Sequence, residues 1–455
     1  MLRGRPVQRN MSPLFLISPI GLALFSFIPL IFAYLVPSGF YESVLHEKDY
    51  VWSTPFMPIF FTLCVSSFVL GVISIALNSQ SAAGSYRRER AMPEAYNFKA
   101  LAYFLGAVDL LNIFSIFSIL KNSTGMIDNL MSGNGDLVKL GMNAENTFSG
   151  AQPLLIAVNL WALFRYMQHG KYYKSTAVLR FVKYEIIASF LLSISIAVAK
   201  VARYEAIPLV IGFAVIFGYF NEKRGDASIW TALTLLAKLG AILTGIFVLF
   251  SVLRGRGSTD LLLYAVMGYG PACFNHLGAL LEGALKFPYA GNGGYTFTFL
   301  LQFPYLHHFI DPKDLMGLPS YADVYLSEFL ATHRAGLNSS FNWVTAFGYY
   351  YADLGNWVYL YLFVMGAIVG GAWNSFLKKR AYGIITYPFF ASSVLCWFGF
   401  NAFSKPQLAT ILLCAIFVWM LEECFPAKRS TDASRREIRF RGAKFEKVRA
   451  GELSS

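Results

Sequence analysis

Between Arg254 and about Gly355 the chain gathers the side chains that transfer from a phosphorylated carrier would need. The stretch opens on Arg254-Gly255-Arg256-Gly257 and passes His276, Gly291 to Gly294, and His307-His308. It then carries His333-Arg334 and closes on the run from Thr345 to Gly355. Arginine's planar fork suits bidentate contact with phosphate. Arg203, in the short hairpin Lys200 to Glu205, could join Arg254, Arg256 and Arg334 around a lipid-linked diphosphate. The competing reading pairs Arg203 with Glu205 and leaves the others reaching toward lipid headgroups. A histidine can serve as general acid or base, and His333 beside Arg334 is the leading catalytic histidine, against a purely structural role. The spacing of His276, His307, His308 and His333 contains no HExxH, so no zinc site is expected. The acids of this part of the chain are Asp260, Glu282, Asp311, Asp314, Asp323, Glu328 and Asp353. One of them could deprotonate an acceptor hydroxyl. Asp353 stands out because it borders an apolar run, where it is either a base or a helix cap.

The elements that must position these groups are apolar helices. Of 455 residues, 56% are hydrophobic and only 14% charged, and the mean hydropathy is +0.49. A soluble domain carries about a quarter charged residues. The apolar residues fall into runs of roughly 20, the length of a bilayer crossing. The expected fold is an all-α polytopic membrane protein with about 10 transmembrane helices and a large external loop between the seventh and eighth. The net charge of +12 sits largely in loops and termini. It is read as an orientation and lipid-contact signal, with no nucleic acid partner. Cys64, Cys396, Cys414 and Cys424 lie in or beside apolar runs, so no disulfide framework is expected.

The expected spans begin with Ser12 to Val36, Pro55 to Leu77 and Ala100 to Leu120. They continue with Ala151 to Met167, Phe181 to Ala199, Ala206 to Phe220 and Ile229 to Leu253. After the loop come Leu354 to Trp373, Ile384 to Phe400 and Leu408 to Met420. Every second loop is basic, from Arg3, Arg5 and Arg9 to Lys378, Lys379 and Arg380. By the positive-inside rule these loops and both termini are cytoplasmic, and the Arg254–Asp353 loop faces outward. The loop Lys121 to Gly150 faces outward too, with a short helix expected around Met126 to Met131. Residues 1–425 form the membrane domain and 426–455 a basic cytoplasmic tail. Within the membrane, Asp109 and Lys238 are expected to pair, since intramembrane charges are costly alone. There is no Walker motif and no Rossmann fingerprint, and no cofactor is expected.

Three stretches carry a resemblance. Ser195 to Arg224 has an arginine in its outer hairpin and a basic turn. Leu253-Arg254-Gly255-Arg256-Gly257, followed by Tyr269 and Phe274, opens a long loop. Thr345-Ala346-Phe347-Gly348 with Tyr351, Asp353 and Gly355 closes it. The last is similar to the T-x-x-G-x-x-Y-x-D-x-G run of the bacterial O-antigen polymerase (Wzy-type) family. The resemblance implies a GT-C-like glycosyltransferase of the bacterial inner membrane. It would transfer a growing glycan from undecaprenyl diphosphate onto the next lipid-linked repeat unit, outside the cytoplasm and without metal or nucleotide. It implies that Arg203, Arg254 or Arg256, and Arg334 hold the diphosphate, and that His333 stands where the related O-antigen ligases place a catalytic histidine. A chain-length regulator and a flippase would be the partners. The rival readings are an O-antigen ligase and, from another class, a lipid-linked oligosaccharide flippase.

Overall fold

The computed structural model describes residues 13–82, 97–122, 150–170, 177–200, 202–223, 229–253, 259–301 and 321–424. Among these every regular element is helical. Arg254, Arg256, His307, His308, Asp311, Asp314, residues 123–149 and the tail from 425 lie outside the described residues.

Ser12 to Val36 does not form one rod. It breaks into α1 (Pro13–Leu16), α2 (Pro19–Phe25) and α3 (Phe27–Leu35). Pro19 has no N–H to continue α1, and it starts α2 at the first turn, where that loss is harmless. Ser18 caps the new helix, its Oγ accepting from Gly21 N at 3.1 Å. At Pro37 the chain turns by 87° into a short helical segment ending at Leu45.

The remaining helices follow the apolar runs: α4 (Met57–Ala82), α5 (Phe98–Asn122), α6 (Ala151–His169), α7 (Ala177–Ala199), α8 (Ile207–Lys223) and α9 (Ile229–Leu253). The long loop contributes α10 (Thr259–Tyr269), α11 (Pro271–Leu281) and α12 (Tyr321–Arg334). Then come α13 (Ala346–Leu354), α14 (Val358–Leu377), α15 (Ala381–Leu395) and α16 (Gln407–Cys424). Four helical stretches are long and apolar enough to cross a membrane: Met57–Ile75, Phe98–Ser118, Ala177–Ala199 and Ala346–Leu377. The bent segment through α2 and α3 makes a fifth if taken as one span.

Helix α6 lies at the centre, against α5, α7, α8, α15 and α16. It buries Gln152, Asn159 and Arg165 along with its apolar residues. Its polarity therefore points inward, where other helices supply partners. α4 and α14 run together at backbone distance. A Cβ at Gly366 would sit 2.0 Å from Phe68 O, and one at Gly71 would sit 1.9 Å from Phe363 O. Only small residues allow such an approach, as in membrane helix pairs.

The two ends of the bundle differ. At one end Arg165 binds Glu422 through Nε (2.7 Å) and Nη2 (2.5 Å), with Trp161 Nε1 donating to the same carboxylate at 2.8 Å. The other end collects the long loop, the α7–α8 hairpin and residues 396–407. The expected Asp109–Lys238 pair is not formed. Asp109 Oδ2 accepts from Ser189 Oγ at 2.8 Å. Lys238 is exposed on α9, which rests on α8 and α10 rather than on α5.

Candidate functional site

Helix α12 turns one face inward. Val324, Ser327, Glu328 and Ala331 recur at helical spacing and are buried, whereas Leu326 and Leu330 are exposed. A carboxylate thus lies on the buried stripe. Glu328 Oε2 accepts from Asn342 Nδ2 at 2.7 Å and from the Tyr349 hydroxyl at 3.3 Å. Burial pushes its carboxyl up to about 7, against Lys405 and these two hydrogen bonds, which favour the charged form. A group so tuned accepts a proton at neutral pH better than an ordinary glutamate.

The run from Thr345 to Gly355 builds the wall beside it. Thr345 caps α13, its Oγ1 accepting from Gly348 N at 3.3 Å, and Gly355 ends the helix with φ 53°. Asp353 is buried, and its Oδ2 accepts from the backbone N–H groups of Tyr295 (2.9 Å) and Thr296 (2.7 Å). It thereby fixes the turn after Gly291 and Gly293, whose φ values of 83° and 74° suit glycine. Held this way, Tyr295 packs at a tilt against Phe287 and stacks on Tyr349, with ring centroids 4.9 Å and 6.1 Å away. Its hydroxyl lies 3.0 Å from Ser327 Oγ on α12. Asn401 Nδ2 donates to Tyr295 O at 3.2 Å and ties in the segment before α16. Asp353→Asn should loosen this turn, because an amide oxygen accepts less strongly from two N–H groups than a carboxylate. The expected loss is about 1–3 kcal/mol, read as a lower unfolding temperature in detergent.

Next to this wall lies a cleft lined from the α7–α8 hairpin, α6, α15 and the segment before α16. Its floor is apolar, with Ile156, Phe389 and Ile411, and its polar side carries Lys200, Glu205 and Lys405. Lys200 Nζ donates to Glu205 Oε2 at 3.0 Å and to Gln152 Oε1 at 3.2 Å. Glu205 is thus engaged by Lys200, and Arg203 opens the 3-10 turn Arg203–Glu205 beside it. Lys405 connects the two halves of the site, since it lines the cleft and acts electrostatically on Glu328.

No protein-family model, curated protein or solved structure matches the chain. His333 and Arg334 are exposed at the C-terminal end of α12, on the side away from Glu328. Asp353 is buried under the 291–296 turn, and none of Asp353, His333 and Glu328 lines the cleft itself, with Lys405 as the link to Glu328. His276 lies on α11, fully buried, with Nε2 2.8 Å from Glu47 Oε1. Asn275 Nδ2 (2.9 Å) and Asn338 N (2.8 Å) also donate to Glu47. Burial opposes the Glu47 charge, yet His276 and these donors hold its carboxyl below the usual range. This group clamps the segment before α4 to the long loop.

Proposed function

We propose that the chain is a membrane glycosyltransferase that extends a lipid-linked glycan, taking the donor from undecaprenyl diphosphate. In this reading ten segments cross the bacterial inner membrane in a GT-C-like arrangement. Both termini are cytoplasmic, and the cleft opens on the outer face. The observation that carries the reading is the buried Glu328, its carboxyl raised to about 7 and acted on by Lys405, which itself lines a cationic cleft with an apolar floor. The floor suits a polyprenyl chain, and the cations suit its diphosphate. The acceptor hydroxyl attacks the anomeric carbon, and its proton passes to Glu328. The carbon–oxygen bond to the diphosphate breaks, and the leaving group keeps the electron pair. Lys200, Lys405 and Arg203 offset the charge that develops on it. The leaving diphosphate supplies the driving force, so no nucleotide is required.

Deleting the gene tests the class. A polymerase leaves single repeat units on lipid A-core, whereas a ligase leaves long chains on undecaprenyl diphosphate. Normal surface glycan in the deletion would overturn the reading. Within the site, Arg203→Ala should abolish polymer at normal protein level. Arg334→Ala, on the exposed side of α12, should leave polymer near the wild-type amount.

A further inference from the structure

Helices α5 and α7 are both apolar enough to span a membrane, yet the seam between them is polar. Glu185, Ser189 and Ser193 recur every fourth residue along one line of α7. A Cβ on Gly106 of α5 would lie 3.1 Å from Glu185 Oε1, so that carboxylate rests over Gly106. One turn further along α5, Asp109 takes the Ser189 hydroxyl at 2.8 Å. Both carboxylates lie about 20 Å below the cleft ends of their helices, at 1.5 Å per residue. The cations on these helices do not neutralise them. Lys99, Arg180 and Lys183 are exposed, and Arg165 is held by Glu422. His169 lies beside Arg165 rather than at the seam.

The seam continues toward the cleft. Asn159 of α6, fully buried, donates to Ile186 O at 3.2 Å. Asn112 of α5 donates to Ala151 O at 3.0 Å. Gln152 Nε2 reaches Ser193 O at 3.5 Å, and its Oε1 accepts from Lys200 in the cleft. Asp109 Oδ1, Asn112 Oδ1, Asn159 Oδ1 and Ser193 Oγ have no protein partner among the described residues, and all are buried. Each would cost about 1–3 kcal/mol if left unmet. A line of such atoms with two to four polar neighbours is where buried water resides.

We propose that α5, α6 and α7 enclose a hydrated path from the cleft to a proton-binding site formed by Asp109 and Glu185. A proton bound there relieves two nearby carboxylates of carrying charge in the membrane without a counter-charge among the described residues. This inference does not depend on glycosyl transfer.

Two measurements test it. Single cysteines at Ser189 and Ser193 are compared with lipid-facing ones at Ile187 and Leu191, which are 45% and 59% exposed on the outside of the bundle. Membranes are treated with silver ion, and the remaining thiols are counted after denaturation against wild type. Only a thiolate in water reacts readily, so Ser189→Cys and Ser193→Cys should be blocked roughly tenfold faster or more. Equal rates at all four positions would overturn the path. The wild-type protein is also treated with dicyclohexylcarbodiimide, which adds a protonated carboxyl across its C=N bond, the proton going to nitrogen. An adduct mapped to Asp109 or Glu185, and lost in Asp109→Asn with Glu185→Gln, is expected. Absence of any adduct there would overturn the proton site.

Discussion

Glu328→Gln should lower glycosyl transfer by roughly a hundred- to ten-thousand-fold, the usual contribution of a general base. The fold should survive, because glutamine keeps an oxygen for Asn342 and Tyr349. The pH profile separates this role from a structural one. Burial places the Glu328 carboxyl at about 7, so below that pH it holds its proton and cannot accept another. Wild-type transfer should therefore rise with pH through this region, and the rising limb should vanish in the variant. Stability follows the opposite sense. The folded state binds this proton more tightly than the unfolded chain does, so folding weakens as pH rises from the ordinary glutamate value of 4.5 to about 7. Glu328→Gln should remove that slope. A variant with full activity and an unchanged profile would eliminate Glu328 as the base.

The second large effect concerns the Glu47 clamp. Glu47→Ala should destabilise the protein by about 3–5 kcal/mol, because it leaves several buried polar groups without their acceptor at about 1–3 kcal/mol each. The alanine leaves His276 buried beside the side chain of Asn275 and the N–H of Asn338, with their shared acceptor gone. The double replacement Glu47→Met with His276→Leu should lose less than the two single changes added together, since neither side chain of the pair is then left without the other. Thermal unfolding in detergent reads both. The Glu47 carboxyl is held low, so its contribution is present above the ordinary value of 4.5 and fades as pH falls through its folded value. Additive losses in the double variant would show that the two residues act separately.

Much of the helix layout is visible in the apolar runs, because a helix that meets lipid must be apolar over its length. The runs Ile229 to Leu253 and Ala151 to Met167 fall on α9 and α6 within two residues. The break at Ser18-Pro19 is hidden by uninterrupted hydrophobicity and shows only in cap chemistry. The depth of Asp109 and Lys238 suggested a pair, but depth does not say which helices touch, and α5 and α9 do not lie together. At the candidate site, the Thr345 to Gly355 run forms the wall beside Glu328, and Asp353 serves there as an anchor for the 291–296 turn rather than facing the cleft. Glu328 was one acid among seven. The signal that singles it out is its place on the stripe of Val324, Ser327 and Ala331, a helical pattern within a loop. No local pattern joins Lys200 to Lys405, because only the meeting of the α7–α8 hairpin with the segment before α16 brings them to one cleft.

The most direct measurement reconstitutes the purified protein in liposomes with a polyprenyl-diphosphate-linked oligosaccharide as the only substrate, and reads the products by mass spectrometry. A ladder of glycans rising by one repeat unit is expected, with polyprenyl diphosphate released in equal number, and no ladder with Glu328→Gln. Folded wild-type protein that leaves the substrate unchanged, or a Glu328→Gln variant that builds the ladder at the wild-type rate, would contradict it.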